Sequence, residues 1–316
     1  MDVLSDVIAT MRTGEPRSAR VQWKSPWGQR FAEGPGAGFQ VVLQGTCWLI
    51  PPDGAQPIAL GVGDVVFLPY GKGYGLADQP TTPLAEPSCE PPDDSRYEQR
   101  YAAPDGGLPH EQAPDAVTLC GSYQLSQERA HPLLAGLPNH LHLPARLGHH
   151  PEIRGAVELL ARELERPRLG ADAVVPALLD TLLLYILRAY FDGEVGQEPV
   201  NSGRADWAAA LKDPVVSAAL HAIHRDPGHP WTVENLGAEA GSSRATFARR
   251  FTSQVGSTPL AYVTWWRMTT AARALRGTQE PISAVAEKVG YGSEFSFATA
   301  FKREYGTSPG RYRKAA

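Results

Sequence analysis

The chain has 316 residues, of which 42% are hydrophobic and 20% charged, so it is about two domains long and able to bury cores. Its three cysteines are too scattered for a disulfide framework, and no apolar run reaches the roughly 20 residues of a membrane span. The net charge of −4 hides an asymmetry, because residues 201–316 carry 15 Lys and Arg against 9 Asp and Glu. We therefore expect a cytoplasmic protein, without a membrane partner, whose basic C-terminal part follows an acidic N-terminal part.

The first 150 residues have the pattern of a β-structure. Short apolar runs at 39–43, 46–50 and 64–68 are separated by turns rich in Gly and Pro, at the spacing of a sandwich or barrel. The segment 86–107 is rich in Pro, Asp and Ser, which is typical of a surface loop. We predict a β-barrel in this region.

Two helices are predicted between residues 151 and 200. Apolar residues recur at helical spacing from 152 to 166, and a second helix from 172 to 191 is apolar nearly all round. Such a helix must be buried on several sides, either in the core of its own domain or against a second copy of the chain. We predict that it forms a helical dimerisation segment, followed by a polar linker at 193–203.

The C-terminal region contains a repeated helical pattern, at 232–251 and again at 282–302. Each copy has a short helix, a turn marked by glycine, a serine at an N-cap position and a second helix with two aromatic residues four positions apart. This is the pattern of a helix-turn-helix, present twice. The serines are Ser243 and Ser293, and the aromatic pairs are Phe247 with Phe251 and Phe297 with Phe301.

A longer helix is predicted to connect the two copies. It begins at Thr258-Pro259 and continues to Leu275, which gives a rod of roughly 25 Å. Such a rod could hold two recognition helices about 34 Å apart, the repeat of B-DNA, in successive major grooves.

Over residues 214–313 the chain resembles the DNA-binding domain of the AraC/XylS transcription regulators. The region 1–200 resembles, through 63–71, 119–121 and 131–134, the cupin-type sensor domain of some members. The resemblance implies an α+β protein of two domains: a cupin-like sensor at 1–150, the helical dimerisation segment at 151–200, and an all-α DNA-binding domain with two helix-turn-helix motifs at 201–316. The signature residues of the DNA-binding domain are Ile282, Ala286, Val289, Gly290, Tyr291, Ser293, Phe297, Phe301, Lys302, Gly306, Ser308, Pro309, Tyr312 and Arg313.

The resemblance also indicates which residues read bases. Arg249 could contact guanine O6 and N7 in bidentate fashion, or be an ordinary surface or phosphate-binding arginine. Glu294 could accept from cytosine N4, and Phe295 or Ala298 could meet a thymine methyl, unless Phe295 only packs. Members of the family usually have arginine where this chain has Thr299. The full set of predicted base-reading positions is Arg244, Ala245, Ala248 and Arg249 in the first recognition helix, with Glu294, Phe295, Ala298 and Thr299 in the second.

Further residues are predicted to contact DNA phosphates. Basic side chains neutralise phosphate charge, and serines at helix N-termini can bind phosphate oxygens. For Arg250 an internal ion pair is the alternative. The predicted phosphate contacts are Ser243, Arg250, Ser293, Lys302, Arg303, Arg311 and Arg313.

The cupin-like region raises an enzyme hypothesis, because many cupins bind a metal through clustered His and Glu. The second cupin motif expects His where this chain has Tyr74, and no His-x-His set occurs between residues 45 and 63. We therefore predict no metal, no cofactor and no enzyme activity. Cys120 is either a redox residue or a small buried hydrophobic residue, and a zinc site built from some of the histidines, such as His140 and His142, with Cys89 or Cys120 is the further alternative. A small-molecule effector pocket is predicted at Trp48, Phe67, Tyr70 and Tyr74.

These patterns predict a sequence-specific transcription regulator that responds to an effector through its cupin-like domain. Its expected partners are an operator in double-stranded DNA, a second copy of the chain, a small-molecule effector and, for an activator, RNA polymerase. The alternative is a cupin-type enzyme fused to a DNA-binding module.

Overall fold

A computed structural model describes residues 2–34, 36–86, 98–101, 113–126, 130–146, 149–193 and 205–315. Cys89, His110 and most of the predicted loop at 86–107 and linker at 193–203 lie outside these ranges. The strands are β1 (Arg17–Trp23), β2 (Gly28–Phe31), β3 (Ala37–Gln44), β4 (Cys47–Ile50), β5 (Ile58–Leu60), β6 (Val65–Leu68), β7 (Tyr74–Ala77), β8 (Glu98–Tyr101), β9 (Ala116–Tyr123) and β10 (Leu141–Leu143). The helices are α1 (Val3–Met11), α2 (Pro132–Ala135), α3 (Pro151–Glu165), α4 (Ala171–Phe191), α5 (Trp207–Lys212), α6 (Pro214–Arg225), α7 (Val233–Glu239), α8 (Arg244–Val255), α9 (Pro259–Gly277), α10 (Ile282–Lys288), α11 (Glu294–Tyr305) and α12 (Pro309–Ala315).

The chain forms two compact units that do not follow the order of the sequence. The barrel unit comprises Arg12–Ala130 and Leu137–Glu198. The helical unit comprises Met1–Met11, His131–Gly136 and Pro199–Ala316. Two short segments from the N-terminal half of the sequence, carrying α1 and α2, are therefore part of the helical unit.

The barrel unit is built from two sheets with an apolar core. One sheet has the strand order β10-β6-β3-β9-β1-β8 and the other has the order β2-β7-β4-β5. All of these pairings are antiparallel except that of β1 with β8, which is parallel. Alternate residues of both sheets form the core, as the period of two in a strand requires. They include Val21, Val42 and Val66 of the first sheet and Leu49, Leu60 and Leu76 of the second.

The opposite face of the six-stranded sheet is covered by α3 and α4, which pack on each other and on β1. Tyr123 of β9 is buried there, and its hydroxyl donates to the carbonyl oxygen of Leu179 at 2.8 Å. Nη2 of Arg12 forms an ion pair with Asp180, at 2.5 and 2.6 Å from the two carboxylate oxygens. By length and composition alone α4 could also cross a membrane, a test that buried core helices of soluble proteins pass as well.

The helical unit contains the two helix-turn-helix motifs, α7–α8 and α10–α11, with α9 between them. Thr232 caps α7 in a capping box with Asn235, so the first motif has a defined start. Gly256 and Gly306 end α8 and α11 with φ of 80° and 70°, the left-handed conformation that glycine adopts without strain. The α9 helix has 19 residues and is therefore about 28 Å long.

A buried polar chain joins the two N-terminal segments to the rest of the helical unit. The hydroxyl of Tyr262 in α9 lies 2.9 Å from Nε2 of His131 and 2.7 Å from Nε2 of His224. Nδ1 of His224 lies 3.6 Å from a carboxylate oxygen of Asp6 in α1. Around this chain, α1 packs on α6 and α9, and the ring of His224 stacks on Trp266 with centroids 3.8 Å apart.

The predicted fold class is confirmed: an N-terminal region with antiparallel sheets and an all-helical C-terminal region with two helix-turn-helix motifs. The predicted strands at 39–43, 46–50 and 64–68 correspond to β3, β4 and β6, and the predicted helices at 152–166 and 172–191 correspond to α3 and α4. The helices α1, α5 and α6 were not predicted; α1 and α5 are short, whereas α6 has 12 residues and an apolar period at Val216, Ala219, Leu220 and Ile223 that was missed. The division at residues 150 and 200 remains a prediction about the sequence.

Candidate nucleic-acid interface

The first recognition helix, α8, has one buried and one exposed face. Its N-terminus is capped by the hydroxyl of Ser243, which accepts from the backbone N–H of Thr246 at 3.4 Å. Phe247 and Phe251 are fully buried, with ring centroids 5.5 Å apart, so the aromatic spacing anchors the helix to the core. The residues between these anchors must then face outward, because i and i+4 share a face and i+1 and i+2 do not.

The predicted base-reading residues of α8 lie on that outward face. Arg244, Ala245 and Arg249 are exposed and Ala248 is half-buried. Within the described ranges neither Arg244 nor Arg249 has a hydrogen-bond or ion-pair partner. Two fork-shaped donors are therefore available to bind guanine edges or phosphates.

The second recognition helix, α11, repeats this arrangement at an offset of 50 residues, with different side chains on its outward face. Ser293 caps the helix through the N–H of Ser296 at 3.2 Å, and Phe297 and Phe301 are fully buried. Phe295 is 83% exposed, so its ring does not pack into the core.

The remaining predicted readers of α11 offer few free donors. Glu294 and Thr299 are exposed and Ala298 is half-buried. The hydroxyl of Thr299 donates to the carbonyl oxygen of Phe295 at 3.0 Å. A hydroxyl that is already bonded to its own helix is a poor base reader, so α11 presents an acid and an aromatic ring where α8 presents two arginines.

The predicted phosphate contacts divide into free and partnered groups. Lys302 and Arg311 are exposed and have no partner within the described part of the chain. Arg303 is exposed and lies 3.4 Å from Glu304, a surface pair of little energetic consequence. Arg313 is half-buried and donates to the carbonyl oxygen of Glu280 at 2.6 Å, which holds α12 against the start of α10. Ser243 and Ser293 are the caps described above.

Arg250 has an internal partner in the structure. Its Nε lies 2.6 Å from Oδ2 of Asp213. The carboxylate of Asp213 also caps α6, because its Oδ1 accepts from the N–H groups of Val215 and Val216. Burial raises the pKa of Asp213, but the hydrogen bonds from Gln254, Val216 and Val215 and the charge of Arg250 outweigh it and hold the pKa below its usual value. The phosphate contact predicted for Arg250 therefore competes with an ion pair. The sequence signal for Asp213 is the Asp-Pro pair before α6, an N-cap followed by proline.

In the barrel unit the four aromatic residues of the predicted effector pocket are not brought together. Tyr74 packs in the core between the sheets, where it stacks on Phe31 with centroids 4.7 Å apart. Phe67 lies on the other side of its sheet against Tyr123, and Trp48 alternates with the inward-facing Cys47 and Leu49. The hydroxyl of Tyr70 donates to the carbonyl oxygen of Leu137. The physical reason is the period of two in strands, which places neighbouring positions on opposite faces.

The position at which metal-binding cupins have histidine is occupied by the Tyr74 hydroxyl. It accepts from Nε2 of Gln40 at 2.6 Å, and no group of three His, Cys, Asp or Glu side chains is placed to hold a metal within the described ranges. Cys120 is half-buried against the same core, with its Sγ 3.6 Å from the carbonyl oxygen of Ala19. The residues present do not fit the metal site of the metal-binding cupins.

Comparisons with known proteins match an N-terminal and a C-terminal region of the chain to two families. Residues 2–192 match the family described as Cupin, and residues 236–315 match the family described as Helix-turn-helix domain. A putative AraC-like transcription regulator from Streptomyces antibioticus is 33% identical over 314 residues, covering 99% of both chains. The HTH-type transcriptional regulator MtrA from Neisseria gonorrhoeae is 32% identical over 274 residues, covering 87% of this chain and 85% of its own.

Among solved structures, the DNA-binding domain of AdpA, described as a global transcriptional factor in complex with a target DNA, is 35% identical to this chain. The match covers 33% of this chain and 92% of that one, with a TM-score of 0.31. The family assignment rests on the two family matches and on the relatives that align over their whole length. The chain belongs to the AraC family of transcription regulators and is a DNA-binding member of it with an N-terminal cupin domain.

Proposed function

We propose that this regulator recognises its operator mainly through α8 and uses α11 mainly for phosphate contacts and fit. The observation that supports this is the pair of exposed, unpartnered arginines, Arg244 and Arg249, on the outward face of α8. A bidentate arginine–guanine pair contributes about 1–3 kcal/mol of discrimination against a wrong base. On α11 the equivalent positions hold Glu294 and Thr299, and the threonine hydroxyl is bonded to its own helix.

The proposal extends to a homodimer formed through the helices of the barrel unit. Two apolar side chains are exposed on these helices in the single chain, Leu159 of α3 at 55% and Val174 of α4 at 42%. A second copy that covers them would double the number of DNA-binding units on one operator, which raises affinity through effective concentration. An activator of this kind would also contact RNA polymerase.

The barrel unit is proposed to bind a small-molecule effector in the region of Tyr74. Gln40 is buried there, and the second polar atom of its carboxamide has no partner among the described residues. A buried polar atom without a partner is costly, and a ligand that supplies one hydrogen bond would remove that cost. Trp48, Phe67 and Tyr70 lie elsewhere, so the effector site is centred on Tyr74 in this proposal.

We further propose that the protein is cytoplasmic and has no enzyme activity. The relatives are transcription regulators, and the residue at the expected histidine position is Tyr74. A cupin enzyme fused to a DNA-binding module is the competing function. Metal analysis of the purified full chain separates the two, since one transition metal bound per chain would favour the enzyme.

The test of the proposed function is to recover and sequence the DNA bound by the full chain in cells. A regulator that reads bases through α8 should enrich a small number of sites that share a short motif. DNA recovered in proportion to its abundance, with no shared motif, would contradict base-specific recognition.

A further inference from the structure

A half-buried arginine connects the two helix-turn-helix motifs from the helix between them. Arg267 lies on α9, where its Nε donates to the carbonyl oxygen of Pro227 at 2.7 Å and its Nη2 donates to that of His229 at 2.7 Å. Burial lowers the pKa of Arg267 below its usual value, although Tyr291 and Asp226 partly offset this. A charged group is rarely buried without strong partners, and here the partners are two carbonyls of one loop.

That loop leads directly into the first motif. Asp226 accepts from the N–H of His229 at 3.0 Å, and its own carbonyl oxygen accepts from the indole N–H of Trp231 at 2.8 Å. Thr232, the cap of α7, is the next residue. The loop at 226–231 is therefore held by its own hydrogen bonds and joins directly to the first motif.

The same loop touches the turn of the second motif. Gly290, between α10 and α11, has φ of 80°, and a Cβ added there would lie 2.5 Å from the carbonyl oxygen of Gly228 and 2.9 Å from Nη2 of Arg267. A Cβ added at Gly228 would lie 2.9 Å from the carbonyl oxygen of Lys288. The two motifs thus approach through two glycines, with no room for a side chain at either.

We propose that Arg267 is a positioning residue that sets the spacing and relative rotation of the two recognition helices and hence the spacing of their two half-sites on DNA. The α9 helix packs on the second motif through a shared core that includes Met268 and Leu275, and on the first through Tyr262, whose ring centroid lies 5.8 Å from that of Phe251. The Arg267–loop–Gly290 contact adds a direct connection between the two motifs beside this shared helix. This inference rests on the proposed function, because it requires that both recognition helices meet DNA.

The geometry of B-DNA makes half-site spacing a sensitive readout. One inserted base pair moves one half-site by about 3.4 Å and rotates it by about 34°, since the helical repeat is about 10.5 base pairs. A rigid pair of motifs cannot follow that change without losing contacts with DNA, whereas a loosely connected pair can keep them.

The experiment uses the full chain and DNA that the wild-type protein has selected from a random library, with one or two base pairs then inserted between the half-sites. We expect wild type to lose about tenfold in affinity for each insertion, because α11 then loses the one base contact that gives its weaker half-site. In Arg267→Lys the loss should shrink to about threefold or less, because an ammonium cannot fork between two carbonyls. Arg273→Lys, on the exposed side of the same helix, is the matched control and should behave as wild type.

A second variant acts on the contact without changing Arg267. Gly228→Ala introduces the Cβ that meets Lys288 and should also shift or broaden the preferred spacing. Thermal unfolding of each variant separates loss of spacing from loss of fold. Spacing discrimination as sharp as wild type in either folded variant, or unfolding of both variants, would overturn the role of Arg267. A wild type that selects no sequence would instead contradict the proposed function, and one that selects a motif yet tolerates insertions would contradict only this inference.

Discussion

At the scale of single residues, the two recognition helices share a framework and differ in what they present. Both have a capping serine and a buried pair of phenylalanines, so both backbones are held alike. On the outward faces, Arg249 of α8 has its counterpart in Thr299 of α11. The longer, forked donor can reach two acceptors of one guanine, whereas the threonine hydroxyl is occupied by Phe295.

Arg249→Ala should relax base preference at one or two positions of the operator. The loss is expected to be about 1–3 kcal/mol at those positions and small elsewhere, because only the bidentate contact disappears. A binding titration over single-base operator variants measures this. Equal weakening on every variant would show that Arg249 contacts a phosphate.

Lys302→Ala tests a predicted phosphate contact for comparison with Arg249→Ala, since Lys302 is exposed and has no partner within the described part of the chain. It should weaken binding to all sequences alike and reduce the slope of log affinity against log salt by about one. A change of base preference in Lys302→Ala would reverse the assignment of roles between the two residues.

The buried His131–Tyr262–His224 chain has a defined proton arrangement. The N–H of Leu133 donates to Nδ1 of His131 at 3.0 Å, so Nε2 of that ring carries the proton and donates to Tyr262. The Tyr262 hydroxyl can then donate to Nε2 of His224, whose Nδ1–H faces Asp6. Both histidines are neutral in this arrangement, and burial lowers the pKa of both, although Asp6 partly opposes this for His224.

The free energy of unfolding of the helical unit should therefore fall as the pH is lowered below about 6.5, the ordinary pKa of histidine. The unfolded chain binds protons there that the folded one does not, so the stabilisation is present above that pH and is lost below it. Urea unfolding followed by tryptophan fluorescence between about pH 5.5 and 7.5 measures the effect. His224→Phe, which keeps the stacking on Trp266, should be less stable but flatter with pH. An unchanged pH profile in that variant would contradict the role of His224.

At the scale of elements, apolar periodicity predicts the long helices that pack one face against a single partner. The predicted helices at 152–166 and 172–191 and the two helix-turn-helix motifs appear within a few residues of their predicted bounds. Which side of a strand faces which partner was not predictable for the effector pocket, because Trp48, Phe67 and Tyr74 lie on strands with two apolar faces. Arg267 carries no signal in the sequence either, since its partners are backbone carbonyls of a loop.

The composition of α4 left open whether its apolar residues pack in the core of their own domain or against a second copy of the chain. The structure decides between these alternatives for Leu179 and Leu183. Leu179 and Leu183 are only 0% and 1% exposed, so they belong to the core of the barrel unit. The exposed apolar residues of these two helices include Leu159 and Val174, which the proposed dimer would cover.

Leu159→Glu combined with Val174→Glu should convert the proposed dimer into folded monomers, with a melting temperature lowered only by the loss of the second copy. Both side chains are exposed in the single chain, so charge there disfavours only an interface. Leu183→Ala is the control and should cost about 2–5 kcal/mol of stability while leaving the dimer intact. Sedimentation and thermal unfolding measure the two effects. A double variant that remains dimeric would place the interface elsewhere.

At the scale of the whole molecule, sequence order and structural units differ. The first eleven residues and the segment His131–Gly136 belong to the helical unit, although residues 2–192 match the cupin family as one stretch. No local pattern could predict this, because the assignment depends on packing between residues more than 100 positions apart. His131 supplies a second partner for the Tyr262 hydroxyl, which also bonds His224, and Asp6 lies 3.6 Å from Nδ1 of His224.

Deleting residues 2–11 from the full chain should therefore lower both the melting temperature of the helical unit and its affinity for DNA. The deletion removes the apolar face of α1, with Val3, Val7 and Met11 nearly fully buried, and leaves the face of α6 and α9 uncovered. A fragment beginning near residue 201 should be weaker still, since it also loses the second copy. Calorimetry and DNA titration give the comparison. An unchanged melting temperature and affinity on deletion would contradict an integral role for α1.

Base-specific recognition by α8 is the central claim, and selection from a random double-stranded DNA library tests it most directly. The full chain should enrich a motif with strongly preferred guanines in the half-site read by α8, and a weaker preference about one helical turn away. With Arg244→Ala and Arg249→Ala combined, the preference at those guanines should disappear while the second half-site persists. Enrichment of an unchanged motif by the double variant would contradict the account.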